Sequence, residues 1–472
     1  MKSSHVLYLG REYENFDILS LNVYFFYFEV KVVMVPYIYD FLLVLMLYVL
    51  YKSGKEIAKT GTIKSHAGLA AILVYTLNEG LRFGRGIDYN LYGMSYEELE
   101  RTGESDWDIS FRFVAETLIS MDIPWQGYVI LMSFMFIFAT IMVLRAYKDI
   151  LPYALPLFVL FSNGAVENMV RWYLGFSLVL IGLSFIINHD ENESTKEENR
   201  KQEDVEENIE EDEFSHEELI KSKRKKAYLK YVFFSIAACT FHLALLPLPF
   251  VFYFVYLRKK PFLPPVYVLL IYFGIAYSFK TDFMLQFVNL ANNLSMVLGH
   301  VSERLEHYGD MADYFLTGGF AGVVFSALPD LQELLFLCII VLLGYKAVKE
   351  AGRLYIYAYN LFILGFCTNP IATQIELMGR FNAPFMFFRA IVLGCILEFI
   401  YRKKKVVINR ALFLFSILVF LNIGRRSLTA PFKLNQEKFL YIWDSDRRSY
   451  QSMYDMWLYD MYNEESKSKK RE

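Results

Sequence analysis

Cysteine is scarce: four occur in 472 residues, Cys239, Cys338, Cys367 and Cys395, and each falls inside an apolar run. No CxxC pair or Cys/His spacing accompanies them, so neither a disulfide framework nor a zinc site is supported. They read as small apolar packing residues. The chain also lacks a P-loop, a GxGxxG after a strand and an HExxH helix, which argues against an ATP-driven pump. An excess of charge of one sign is missing too. With 48 Lys and Arg against 51 Asp and Glu, the net charge of −3 says little, and what matters is where each sign sits. None of the apolar runs alternates as a barrel strand does.

What the chain has in excess is apolar mass. It is 55% hydrophobic and 18% aromatic, with a mean hydropathy of +0.28, where soluble chains sit near 45–50% apolar. The excess comes in blocks, among them Phe41–Tyr51, Tyr128–Leu144, Leu174–Ile187, Val266–Phe279, Leu334–Tyr345 and Ala411–Ile423. Runs of about 17–25 apolar residues match the length of a helix that crosses the hydrocarbon core. The expected fold class is all-α, a polytopic transmembrane helical bundle of roughly ten to twelve spans.

Charge orders these blocks. Residues 1–33 read as an N-terminal extension, with a normal start at Met34 running into the first span. Lys52, Lys55, Lys59 and Lys64 place the next loop in the cytoplasm by the positive-inside rule. A span near 65–81 then delivers 82–124, with nine acids and four arginines, to the exported side. A span at 125–147 returns. Residues 151–163 and 168–188 read as a hairpin turning at Asn163-Gly164, which is turn chemistry, and complete a first bundle part over 34–188. Segment 189–226, with fifteen acids and eight bases, reads as a disordered cytoplasmic linker.

A second bundle part is expected over 227–424. Its first apolar block, 227–257, has basic clusters at both ends, yet at 1.5 Å per residue it makes only about 46 Å of helix. With Pro247 and Pro249 in its middle, a broken or re-entrant hairpin resolves the conflict, and such backbone needs cover at membrane depth. A span at 262–280, a second exported loop at 281–330, and spans near 331–348, 354–374, 384–401 and 411–424 follow. Charge does not place the polar tail 425–472: strict alternation exports it, while Arg425 and Arg426 argue against that.

Ionisable residues at membrane depth are costly and therefore functional suspects. Arg82, Arg85 and Asp88 lie where the second span ends. Glu167 and Arg171 lie at the expected hairpin tip, His242 in the broken helix, and Arg380 at the opening of a late span. Arginine binds phosphate through a planar fork of donors, so several around one cavity would suit a pyrophosphate head group. The plainer alternative is that each snorkels or pairs with a neighbouring acid. Tyr89 and Tyr92 read as interfacial belt residues, or as platforms for a sugar ring.

These motifs, in this order, resemble the EpsG family, relatives of the Wzy-type polysaccharide polymerases. The resemblance rests on Arg85-Gly86-Ile87-Asp88-Tyr89-Asn90-Leu91-Tyr92, on Asn168 and Arg171 at a helix start, on Phe241-His242, and on Arg380, and it covers about 34–424. The family usually has Gln after the hairpin arginine, where this chain has Trp172, and the acidic stretch 191–220 looks like an insertion. The resemblance implies a GT-C/Wzy-like enzyme in a bacterial cytoplasmic membrane. It would join polyprenyl-pyrophosphate-linked oligosaccharide units at the outer face, for exopolysaccharide, capsule or O-antigen. Arg85, Arg171 and Arg380 would hold the pyrophosphate, and Asp88 or His242 would take the proton. Arg82, Tyr89, Tyr92 and Asn168 would help bind substrate. No metal or other cofactor is implied. The partners are the lipid-linked substrate, membrane lipid and other polysaccharide-assembly proteins, with no nucleic acid among them. A flippase for the same lipid-linked sugars and a non-catalytic assembly scaffold are the rival readings.

Overall fold

The computed structural model describes residues 41–84, 87–203, 213–278, 331–372, 376–402 and 440–441, and these are mostly helical. In chain order the helices are α1 (described over 41–60), α2 (His66–Gly80), α3 (Ile87–Thr102), α4 (Ile109–Ile119), α5 (Trp125–Leu144), α6 (Leu151–Asn168) and α7 (Val170–Glu203). They continue with α8 (Glu213–Phe241), α9 (Pro247–Tyr256), α10 (Pro265–Ser278), α11 (Leu331–Ala351), α12 (Arg353–Ala372), α13 (Glu376–Met386) and α14 (Arg389–Arg402). Trp125–Leu144, Val170–His189 and Gly379–Arg402 are long and apolar enough to cross a membrane, while Leu243–Tyr256 and Pro265–Ser278 are shorter apolar stretches.

Ring contacts fix the directions. Tyr75 meets Phe136 and Gly80 faces Ile130, so α2 and α5 are antiparallel. Phe136 meets Tyr173, and Asn188 reaches the Met142 carbonyl, so α5 and α7 are parallel. Phe158, Phe176 and Phe387 from α6, α7 and the α13–α14 junction close the middle of the core. The bundle thus has a cap end, where α2 stops and α5 and α7 begin, and a basic end carrying Lys148, Arg258–Lys260, Arg353 and Arg402.

The polar segment expected at 82–124 is a folded cap rather than a simple loop. Tyr89, Tyr92 and Tyr96 fall on one face of α3 because residues three and four apart stack on a helix. They meet Trp107 just before α4, Phe111 of α4, and Trp125 and Tyr128 of α5, forming a second apolar core. Tyr96 is buried beside Glu100, which pushes its hydroxyl up to about 12. It therefore stays protonated and donates to the Ile123 carbonyl at 2.6 Å.

Two expectations are revised by the backbone. The turn expected at Asn163-Gly164 lies five residues later. Helix α6 runs through both residues and breaks at Met169. Away from water an unmade backbone hydrogen bond costs several kcal/mol, so turn-formers stay helical. The acidic stretch 189–226 is helical where described, through Glu203 and again from Glu213. Glu, Lys and Arg are good helix formers, and extending a helix that is already nucleated avoids the unfavourable first turn. Arg380 does open the last apolar stretch of the described residues, as the second residue of Gly379–Arg402, and it lies within α13 with α14 following. Residues 1–40, 281–330 and 403–439 lie outside the described residues, as does most of the tail.

The block 227–257 is a hairpin. Helix α8 stops at Phe241, His242 is extended, Leu243–Leu245 make one 3-10 turn, and α9 starts on Pro247. Proline suits a first helical position because no partner awaits its missing N–H. The Tyr231 hydroxyl donates to the Pro249 carbonyl at 2.6 Å, and Tyr228 meets Tyr253, so the arms run antiparallel with His242 at the tip. Leu440–Tyr441 pairs antiparallel with Arg82–Phe83, Arg82 opposite Tyr441.

Candidate functional site at the cap end

Arg171 is the second residue of α7 and points under the cap. Its Nη1 is 3.1 Å from Asp108 Oδ2, and its guanidinium lies 6.0 Å from the Tyr92 ring centre. The arginine side chain is 13% exposed, sheltered yet open to a ligand. Asp108 is the N-cap residue of α4 but makes no capping hydrogen bond. An aspartate there normally caps the helix, and here it is turned to the arginine instead. Arg171 Nε is buried with no hydrogen-bond partner among the described residues, so donor capacity remains.

The next residue, Trp172, is wedged between His242 and Phe381, with ring centres 5.0 and 5.5 Å away and both contacts edge-on. This brings three chain segments together: the start of α7, the hairpin tip and α13. Arg380 precedes Phe381 and is half-buried. Beneath α13, Asn382 Nδ2 donates to Asn369 Oδ1 at 3.1 Å, and Thr368 Oγ1 donates to Asn382 Oδ1 at 3.2 Å. That ladder fixes α13 on α12. Ser110 and Thr240 share a hydrogen bond of 2.7 Å and tie α4 to α8.

Arg82 has a different setting. It is 2% exposed; its Nη1 donates to the Glu79 carbonyl at 2.9 Å and lies 3.8 Å from the Glu79 carboxylate, itself 1% exposed. Tyr89 is fully buried and donates to Gln126 Oε1 at 2.7 Å. The Gln126 amide in turn donates to the carbonyls of Gly80 and Arg82. The expected belt or sugar-platform role for Tyr89 therefore gives way to packing, and Arg82 with Glu79 forms a buried pair that shapes the loop.

The structure thus gathers Arg171, Tyr92, His242 and the neighbourhood of Arg380 at one end. Asp88 is half-buried in the first turn of α3, where the helix dipole favours negative charge. Asn168 is the last residue of α6 rather than the start of a helix, and Arg85 lies outside the described residues. Asp108, Gln126, Glu79 and Asn382 were not singled out by sequence, and Trp172 was given no role there. For Asp108 no local signal existed, since it is one acid among nine in its segment. Trp172 did carry a signal, as the departure beside Arg171. No group of three or more His, Cys, Asp or Glu converges among the described residues.

Residues 67–195 match the model of the EpsG family. No curated protein and no solved structure matches the chain. The matched region runs from α2 through the cap to the far part of α7, so it contains Asp108 and Arg171 but neither His242 nor Arg380. In general terms the family implies a polysaccharide-polymerase-like membrane protein, and the apolar helices agree with a membrane setting.

Proposed function

We propose that this protein is a polysaccharide polymerase of the bacterial cytoplasmic membrane. It joins polyprenyl-pyrophosphate-linked oligosaccharide units at the outer face, for exopolysaccharide, capsule or O-antigen. In this reading α1, α2, α5–α7, α10–α12 and the Gly379–Arg402 stretch of α13 and α14 cross the bilayer, α8 and α9 form a re-entrant hairpin, and the cap end faces outward. The observation that carries the proposal is Arg171: a guanidinium held by Asp108 and Tyr92 beneath a folded cap, next to Trp172 and the hairpin tip.

Arg171 and Arg380, with Arg85, hold the pyrophosphate of the growing chain. The bond between the terminal sugar carbon and the pyrophosphate oxygen breaks, and the electron pair leaves on the polyprenyl pyrophosphate. A hydroxyl oxygen of the incoming unit forms the new bond to that carbon, and its proton passes to Asp88 or His242. The fixed cations stabilise charge that grows on the leaving oxygens, an electrostatic effect that is usually a large part of catalysis. Asp108 orients Arg171 and does not touch the reacting atoms. Arg82 and Tyr89 hold the loop that carries Arg85 and Asp88, and Tyr92 and Asn168 border the substrate.

The test is surface-glycan length in cells deleted for the gene, complemented with wild type or Arg171→Ala. Single units accumulating at the outer face, restored to long chains by wild type alone, support polymerisation. Lipid-linked units trapped at the inner face would mean a flippase instead.

A further inference from the structure

The basic end of the bundle holds a second concavity. The turn after α5, Ile187 of α7, Tyr256 at the end of α9 and the α11–α12 turn enclose a cavity of about 330 Å³. Small-ligand sites typically run from about 300 to 1,000 Å³. It is distinct from the cap-end site: Arg171 and Ile187 are sixteen residues apart on one helix, about 24 Å at the usual rise.

Its chemistry is specific. Lys148 and Arg353 line it, and Arg353 is held in direction. The Arg353 guanidinium lies 5.2 Å from the Tyr256 ring centre, and its Nη2 donates to the Tyr256 carbonyl at 3.4 Å. Tyr357 also lines the cavity. It is 1% exposed, and its hydroxyl has no hydrogen-bond partner among the described residues. A buried hydroxyl without a partner costs free energy unless something fills the role. Asp149 is the acid among the lining residues, and it shares Arg402, at 3.0 Å, with Glu398, at 2.7 Å. Ala146 and Ile187 add an apolar wall.

An ammonium, a guanidinium and a waiting hydroxyl beside an apolar wall form a recognition set for phosphate carried on an amphiphile. We propose that this cavity binds a phosphate group, with Lys148 and Arg353 supplying charge and Tyr357 the buried hydrogen bond. The ligand is the head group of an anionic phospholipid or a soluble phosphate compound. This site does not depend on the polymerase reading.

The experiment is titration of the purified full-length protein in detergent by native mass spectrometry and thermal shift. The probes are phosphatidylglycerol, inorganic phosphate, and diacylglycerol, which has the chains without the phosphate. Phosphatidylglycerol should bind and raise the melting temperature. Arg353→Gln should weaken it about tenfold and Tyr357→Phe several-fold, as expected for a hydrogen bond to a charged group. Arg258→Gln, at the same end but outside the cavity, should leave affinity unchanged. Stabilisation by inorganic phosphate that Arg353→Gln abolishes supports the site and names a soluble ligand as its occupant. Binding of diacylglycerol as tight as that of phosphatidylglycerol overturns the proposal, as does equal affinity in wild type and Tyr357→Phe. The tyrosine variant keeps its ring packing, so it decides the matter even where Arg353→Gln fails to fold.

Discussion

At the scale of single residues the cap end combines two kinds of arginine. Arg171 is partly open and held by one carboxylate, whereas Arg82 is sealed against Glu79. Their substitutions should separate cleanly. Arg171→Ala should lower polymerisation about 10²–10³-fold with little change in melting temperature, read from glycan length and from thermal unfolding in detergent. Asp108→Asn should cost less, because the guanidinium remains while its orientation loosens. Glu79→Ala leaves a buried guanidinium uncompensated, and breaking a buried pair costs about 3–5 kcal/mol. It should therefore appear as lost stability before lost activity. Arg171 was legible in the sequence because a charge in an apolar run is anomalous. Asp108 was not, since nothing local tells one loop acid from another until α4 places it.

At the scale of elements, packing decides what propensity leaves open. Gly175 of α7 sits against the hairpin tip, where an added Cβ would lie 3.1 Å from the Ala238 carbonyl and 3.4 Å from Phe241 Cβ. Gly175→Val should push α8 and His242 off α7. Overpacking of this kind costs about 1–3 kcal/mol and would shift the melting temperature and reduce polymer length together. Asn360 holds the α9–α10 turn. It is fully buried, accepts from the Phe262 N–H at 2.9 Å and donates to the Lys260 carbonyl at 3.1 Å. Asn360→Leu orphans both backbone groups and should destabilise by about 1–3 kcal/mol for each buried group left unsatisfied, as measured by thermal unfolding. The broken helix at His242 could be read from two prolines and a length that fits neither one span nor two. The passage of α6 through Gly164 could not, because the turn preference of glycine is learned from water-exposed chain.

At the scale of the whole molecule, the apolar blocks made the predominance of apolar helices legible. The cap could not be seen in them, because its core comes from aromatics that read as interface dressing. The orientation proposed for the cap makes a direct prediction. In a background with the four cysteines replaced, Ser105→Cys should react with a membrane-impermeant maleimide added to intact cells, and Ser222→Cys should react only after lysis. The reverse pattern would turn the whole bundle over and sink the proposed site.

The two-residue ribbon between Arg82–Phe83 and Leu440–Tyr441 acts as a parity check on this topology. Strands that share hydrogen bonds lie on one side of a bilayer, so the chain between them crosses an even number of times. From α5 to α14 the proposed crossings are α5, α6, α7, α10, α11, α12 and the α13–α14 stretch, an odd number, with the α8–α9 hairpin returning to the side it left. The span expected from the sequence at 411–424 would make the number even. On that expectation Ser449→Cys should label together with Ser105→Cys.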